Sequence, residues 1–162
     1  MRLALTSSGD RERAREHPKK KKKGNRKPRK PVSEMDGFFN ATDEDRLEQV
    51  RRNANNVAGY SERMVDATWT QIHYLKRTEQ LKLMEWWMRT ETVQDRLDHW
   101  GAAQQESLAR GDRWYARNCE YRMMEAAVDM ALCDDKREEH RLKIQELERL
   151  QDRVEEHMRR ER

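Results

Sequence analysis

Apolar residues in the last third of the chain recur in alternating steps of four and three positions. The series starts at Cys119 and keeps its register over more than five heptads, with charged residues at most positions between. Such a repeat is typical of a helix that packs along a partner helix, so it predicts a heptad coiled-coil helix over residues 112–162. We call the twelve repeating positions the C-terminal seam: Cys119, Met123, Ala126, Met130, Cys133, Arg137, His140, Ile144, Leu147, Gln151, Val154 and Met158.

The middle of the chain carries a second stripe with the same spacing, which we call the middle seam. From Trp86 it proceeds in steps of four and three to Trp100, and Glu79 and Thr90 are its polar members. This spacing predicts another long helix, because a strand would alternate apolar and polar residues. The other members of the middle seam are Ile72, Leu75, Leu83, Val93 and Leu97.

The two seams are out of phase, so a break has to lie between Trp100 and Cys119. Gly101 and the pair Gly111-Asp112 are the candidate turns, and the pair is preferred because its aspartate can cap the helix that follows. Residues 102–110 are good helix formers and are interpreted as a short bridging piece. The predicted fold class is all-α, a long antiparallel helical hairpin, and one extended, bent rod is the alternative.

A helix start is predicted at Thr42, whose hydroxyl can accept a hydrogen bond from a backbone N–H of the first turn. The three acidic residues that follow suit the positive end of the helix dipole. Gly59 weakens the apolar run beyond this start but does not have to end it, since a lone interior glycine costs about 1 kcal/mol. Residues 42–111 are therefore assigned to a first helical segment or segments.

Residues 33–41 are assigned to a linker in front of this helical body. The linker holds the only two phenylalanines of the chain, Phe38 and Phe39. They are interpreted as a cap over the first helix in preference to a docking hook for another protein.

Charge and proline content set residues 1–32 apart from the rest of the chain. This segment holds thirteen Lys and Arg against three acidic residues, together with all three prolines, whereas the remaining residues have a net charge of −6. Residues 18–32 have almost nothing apolar to bury, so the segment is predicted to be a disordered basic arm. The candidate polyanion-binding residues of this arm are Lys19, Lys20, Lys21, Lys22, Lys23, Arg26, Lys27, Arg29 and Lys30.

The basic arm suggests a polyanionic partner. RNA or DNA, the nuclear-import machinery and an acidic protein segment are the alternatives, beside a solubilising tail with no specific partner. The basic cluster has no interleaved aromatic residues, so base stacking is not predicted. Contacts with nucleic acid would be directed at phosphates, dependent on salt and poor in sequence specificity.

Residues 81–88 read Leu-Lys-Leu-Met-Glu-Trp-Trp-Met and are apolar on every side of a helix. A single partner helix covers one face, and a helix that is apolar all round is normally buried all round. The Met-rich and partly polar C-terminal seam is adaptable rather than uniquely packed. Both features predict an interface with other protein chains, with these candidate residues: Leu83, Trp86, Trp87, Met88, Trp100, Met123, Met130, Arg137, His140, Ile144, Leu147 and Val154.

Two alternatives to that interface stay open within a single chain. A hairpin with slack packing would use the C-terminal seam intramolecularly. A hairpin that folds back as three helices would enclose both tryptophans of residues 81–88 itself.

The sequence contains no recognisable catalytic or metal-binding motif. It has no glycine-rich phosphate loop, no His-Glu-x-x-His and no Cys-x-x-Cys. Cys119 and Cys133 are about 21 Å apart along a helix, too far to share a metal or to form a disulfide within the chain, and are predicted to be buried thiols. His140 is a candidate polar layer of the seam. No enzyme activity, cofactor, metal site or small-molecule substrate is predicted.

The charged fraction of 41% favours long solvated helices over a compact enzyme. The chain is therefore predicted to be a structural or adaptor subunit of a larger assembly, which docks protein partners through its helices and a polyanion through its arm. The alternative function is an RNA- or DNA-binding protein that is dimerised by its coiled coil. A coiled-coil membrane tether is weaker, because the basic arm has no amphipathic apolar face.

The sequence also bears on the compartment. Two cysteines cannot form a disulfide framework, which favours a reducing intracellular setting such as the nucleus or the cytoplasm, in cytoskeletal or ribonucleoprotein structures. The mitochondrion is a weaker alternative, because a presequence is poor in acidic residues and this N-terminus contains Asp10, Glu12 and Glu16. No apolar run approaches 18 residues, so no transmembrane segment is predicted.

Overall fold

The computed structural model describes residues 34–162, with side chains from Gly37 onwards. Within these residues the chain forms helices and no strand, which confirms the predicted all-α class. The basic arm and its nine candidate polyanion-binding residues lie outside the described part. The elements are α1 (Glu34–Phe39), α2 (Asp43–Asn55), a 3-10 turn (Val57–Gly59), α3 (Glu62–Ala109) and α4 (Arg113–Arg160).

Helices α3 and α4 form a long hairpin, as predicted. Each contains 48 residues, which corresponds to about 72 Å at a rise of 1.5 Å per residue. Gly111 at the turn has a φ of +76°, a left-handed conformation that favours glycine. Asp112 caps α4 by accepting a hydrogen bond of 3.0 Å from the N–H of Tyr115. The turn predicted at Gly111-Asp112 is confirmed, and α3 runs unbroken through Gly101, so residues 102–110 are not a separate bridging piece.

Burial along α4 follows the predicted heptads. Every seventh position of the C-terminal seam from Cys119 is buried, and the other six positions are half-buried. In the middle seam, Ile72, Leu75, Glu79 and Val93 are buried, and the remaining members are half-buried. The two seams therefore pack against each other within one chain. The buried positions of the C-terminal seam are Cys119, Ala126, Cys133, His140, Leu147 and Val154.

The contact between Glu79 and His140 sets the register of the hairpin. Ile72 and Leu147 lie one heptad from this pair toward the end of the hairpin that is remote from the turn, which we call the open end. Both belong to the larger hydrophobic cluster, whose buried residues are Phe38, Val50, Ala54, Val57, Val65, Ile72, Leu75, Leu147, Leu150 and Val154. One heptad toward the turn are Trp86 and Cys133, both in the smaller cluster. Equal steps in opposite directions along α3 and α4 thus keep facing residues together, as an antiparallel pair requires.

At the open end of the hairpin, α2 packs on both long helices and makes a three-helix segment. Thr42 caps α2 as predicted, because its Oγ1 accepts a hydrogen bond of 3.2 Å from the N–H of Asp45. The prediction that a helix can continue across Gly59 is wrong, since α2 ends at Asn55. The side chain of Asn56 donates to the backbone oxygen of Arg52 at 2.8 Å and competes with a further helical turn.

The linker predicted at residues 33–41 contains the short helix α1. Phe38 is fully buried in the larger cluster, with its ring centroid 5.9 Å from that of Tyr74 on α3. Its carbonyl oxygen accepts a hydrogen bond of 2.9 Å from Nε of Arg46 on α2. Phe38 therefore caps the start of the helical body, in agreement with the interpretation from sequence, whereas Phe39 is 45% exposed and has its ring centroid 5.1 Å from that of Tyr74.

The three-helix segment ends near Lys82, where Nζ donates to Oδ2 of Asp43 in the first turn of α2 at 3.0 Å. From residue 83 to residue 136 the hairpin is covered by no third helix of the described chain. We call residues 83–136 the two-helix segment. Its buried cluster is small and consists of Val93, Ala126 and Cys133. No helix within residues 34–162 has a stretch apolar enough to cross a bilayer.

Candidate protein-docking surfaces on the two-helix segment

A two-helix segment can hide only one face of each helix, and this one leaves many large apolar side chains exposed. Most of the exposed large apolar residues of the described chain lie within it, although it contains fewer than half of the described residues. Exposed apolar side chains that together form a patch are typical of an interaction site. These residues are Met84, Trp87, Met88, Leu108, Trp114, Tyr121, Met124, Val128 and Leu132.

One exposed apolar stripe runs along the face of α3 that points away from α4. We call Leu81, Met84 and Met88 the α3 outer stripe; Tyr74 lies on the same face one heptad before Leu81, but its ring packs against Phe38 and Phe39 of α1. Met88 lies nine residues after Glu79 of the middle seam, which at about 100° per residue places it about 180° round the helix. It is 63% exposed. The apolar character of residues 81–88 on all sides therefore results from two stripes, of which α4 covers only one.

The two adjacent tryptophans have different surroundings. Trp86 is half-buried against the smaller cluster, and the guanidinium of Arg89 lies 4.5 Å from its ring centroid. Trp87 is 51% exposed and borders the α3 outer stripe. The three-helix segment lies toward the open end of the hairpin, so within residues 37–162 no third helix encloses both tryptophans.

A contact across the hairpin holds the Trp87 ring in place. The guanidinium carbon of Arg137 lies 4.0 Å from the ring centroid, a cation–π geometry. Arg137 also pairs with Asp134 one turn earlier on α4. Trp87 is thus a positioned, half-exposed aromatic side chain. A shallow cavity of about 280 Å³ beside it is lined by Leu83, Trp87, Asp134, Arg137, Glu138 and Arg141.

A second exposed stripe runs along α4 on the face opposite the C-terminal seam. Val128 lies nine residues after Cys119 of the seam, which again places it about 180° round the helix. Trp114 is 79% exposed and Val128 is 71% exposed. We call this set the α4 outer stripe: Trp114, Tyr121, Met124, Val128 and Leu132.

The sequence contains the signal of the α4 outer stripe, but reasoning from sequence missed it. Its members follow in steps of seven, three, four and four, which is a helical spacing. The heptad repeat was assigned to the C-terminal seam of the same helix, because that series is longer and more regular. A search for a second stripe about 180° from the first would have found it.

Most of the twelve interface candidates named from sequence pack within the chain. His140, Leu147 and Val154 are buried between the helices. Seven others are half-buried along the two seams: Leu83, Trp86, Trp100, Met123, Met130, Arg137 and Ile144. Trp87 and Met88 are exposed, and Leu81 and Met84 extend the surface that they form.

The polar layer at His140 connects all three helices of the open end. Its Nδ1 lies 2.5 Å from Oε2 of Glu79, and Nζ of Lys82 lies 3.6 Å from Oε1 of the same carboxylate. The hydrogen bond from Lys82 holds the pKa of Asp43 below its usual value. Burial lowers the pKa of Lys82, but its bond to Asp43 and the charge of Glu79 leave that pKa raised. These polar contacts hold the helices together, so we assign the layer a structural role and not a binding role.

Comparisons of the chain with protein-family models, with curated proteins and with solved structures find no match. A functional assignment therefore depends on the geometry of the exposed surfaces.

Proposed function

We propose that this protein is a structural or adaptor subunit of a larger assembly, which docks another protein chain on the α3 outer stripe. The observation that carries the proposal is the exposure of Met84, Trp87 and Met88 side by side on one helix. Trp is enriched among residues that dominate binding energy, and Met side chains adapt to a partner's shape. The catalytic chemistry of an enzyme plays no part in this function.

A helix is the partner that best fits the α3 outer stripe. Leu81, Met84 and Met88 follow in steps of three and four, the spacing with which one helix packs along another in a coiled coil. Charged residues such as Arg77, Glu85 and Glu91 flank the stripe and are exposed. An apolar centre with a polar rim is the usual composition of a protein interface.

The basic arm supports a second contact, with a polyanion. Thirteen basic residues in 32 positions attract nucleic acid or an acidic protein surface, whereas the body of the chain has a net charge of −6. Together the two contacts would attach a protein partner to a polyanionic surface. A nucleic-acid-binding protein that uses the helices for dimerisation only is the second candidate function, and the same charge asymmetry favours it.

Affinity recovery of the tagged full-length protein from its own cells, with nuclease treatment, tests the proposal. Met84→Ser/Met88→Ser removes two members of the α3 outer stripe, and Leu108→Ser/Leu142→Ser removes exposed apolar surface that belongs to neither stripe. Lys19→Gln through Lys23→Gln neutralises the basic cluster. We expect a defined set of proteins that survives nuclease, is lost with the first pair and is kept with the second.

A different outcome would contradict the adaptor function. If recovery of all partners depends on nuclease-sensitive material and on Lys19–Lys23, but is unchanged by Met84→Ser/Met88→Ser, the protein is primarily a nucleic-acid binder. Far-ultraviolet circular dichroism of each variant establishes that the helices are retained.

A further inference from the structure

We propose that a second copy of this chain covers the α4 outer stripe, with the two α4 helices antiparallel and related by a two-fold axis. This surface lies on a different helix from the α3 outer stripe. The proposal therefore stands independently of the protein partner proposed above.

The α4 outer stripe is long enough for a helix–helix interface. It extends from Trp114 to Leu132, about 27 Å along the helix. Covering its five exposed side chains removes roughly 500 Å² of mostly apolar surface per chain. With the flanking residues that such a contact also covers, the area approaches the ~800 Å² that each partner contributes to a standard interface.

Charge along α4 determines the direction of the second helix. Arg113 and Arg117 flank the stripe near its N-terminal end, and Asp134, Asp135 and Glu138 follow its C-terminal end. Asp134 and Glu138 pair with Arg137 and Arg141 of the same helix, so Asp135 is the acidic group left for the other copy. A parallel pair would place the basic ends together and the acidic ends together. An antiparallel pair places each basic end beside the acidic end of the other copy, which is the favourable arrangement.

One antiparallel register matches size as well as charge. When Met124 of one copy faces Val128 of the other, Tyr121 faces Ala131 and Arg117 faces Asp135. At the centre of the contact large residues then lie opposite smaller ones, as interdigitating helices require, whereas Trp114 and Leu132 face Glu138 and Glu120 at its ends. Within residues 37–162, neither Arg117 nor Asp135 takes part in an ion pair, so each is available to the other copy. The contact is isologous, because each pairing occurs twice about the two-fold axis.

Charge reversal at Arg117 and Asp135 tests both the surface and the direction. Arg117→Asp gives a chain that is acidic at both positions, and Asp135→Arg gives a chain that is basic at both. Each variant alone should associate with itself at least tenfold more weakly than the wild type. An equimolar mixture of the two should recover wild-type association, because every pairing then joins opposite charges. A merely structural effect of either substitution would not be reversed by mixing.

Sedimentation equilibrium of the full-length chain provides the measurement, and a dimer has twice the chain mass of 19.6 kDa. Arg63→Asp and Asp95→Arg are the matched controls, since these exposed charges lie on α3 and should leave the dimer unchanged. A wild-type protein that stays monomeric from micromolar to near-millimolar concentration overturns the proposal. The α4 outer stripe would then be a surface for a different protein. A dimer that the controls disrupt, or that mixing does not restore, also overturns it.

Discussion

Nδ1 of His140 on α4 lies 2.5 Å from Oε2 of Glu79 on α3, in a layer that is buried between the two helices. The layers one heptad away on either side belong to the hydrophobic clusters. A slip of the hairpin by one heptad would separate Glu79 from His140 and leave each facing an apolar layer. Burying an unpaired polar or charged group is costly, so this pair selects a single register.

We expect the Glu79–His140 pair to contribute specificity more than stability. Glu79→Leu leaves the His140 ring without its partner and should lower the free energy of unfolding by roughly 1–3 kcal/mol. Glu79→Leu/His140→Leu should be as stable as the wild type or more stable, because it removes the desolvation cost of both groups. Urea unfolding measures all three proteins. A double variant that is less stable than the wild type would show that the pair itself stabilises the fold.

Gly101 and Gly111 should respond in opposite directions to alanine. Gly111 has a φ of +76°, where a side chain is strained, so Gly111→Ala should destabilise the hairpin by about 1–2 kcal/mol. Gly101 lies inside α3, and a Cβ there would be 3.7 Å from Cε of Met123, an ordinary contact. Gly101→Ala should therefore stabilise the protein by roughly 0.5–1 kcal/mol. Thermal unfolding compares the two, and equal shifts would contradict the assigned turn.

Acid should loosen the three-helix segment. The bidentate hydrogen bonds from Arg51 on α2 hold the pKa of Glu146 on α4 below its usual value of 4.5. The folded state thus favours the charged carboxylate, so its contribution is present above about pH 4.5 and is lost as the pH falls through the lower folded pKa. Because the pair is partly exposed, we expect a loss of about 0.5–1 kcal/mol.

Glu146→Gln is the control for this pH dependence. Urea unfolding of the variant should vary less with pH than that of the wild type in the range below pH 4.5. Glu155 should also stabilise the fold less as the pH falls, because a hydrogen bond of 3.0 Å from the indole N–H of Trp69 lowers its pKa. The remaining acid dependence of Glu146→Gln should therefore have the same direction, and a stability that rises on acidification would contradict the account.

Trp87 should matter little for folding, in contrast to a buried seam residue. Trp87→Ala removes a half-exposed ring and the cation–π contact with Arg137, worth about 0.5–1 kcal/mol at an exposed site. Leu147→Ala removes a buried side chain of the larger cluster and should cost about 2–5 kcal/mol. Chemical unfolding distinguishes the two. A loss at Trp87 as large as that at Leu147 would mean that the ring is part of the fold's core.

The hairpin could be predicted from sequence because the signals that specify it lie in short stretches of the chain. The heptad steps of the two seams, their phase difference and the Gly111-Asp112 turn each depend on residues close together in the chain. The end of α2 at Asn55 is not predictable from Gly59, since a single interior glycine costs a helix only about 1 kcal/mol. There the side chain of Asn56, bonded to the Arg52 oxygen, contributes to the stop.

The candidate surfaces were harder to predict, because exposure depends on where other elements end. Residues 81–88 looked apolar on all sides, but only the structure shows that α2 begins beside Lys82 and leaves Met84 and Met88 uncovered. Similarly, Glu79 and His140 are both polar members of a predicted seam, and their pairing follows only from the register of the hairpin.

A photo-crosslinking amino acid at Met88, incorporated into the full-length protein in its own cells, tests most directly whether the α3 outer stripe docks another protein. The matched position is Gln94, which is exposed on the same helix but lies away from the stripe. We expect a discrete, nuclease-resistant protein adduct from position 88, distinct in mass from twice 19.6 kDa, and none from position 94. No adduct at position 88, or the same pattern from both positions, would contradict the docking function.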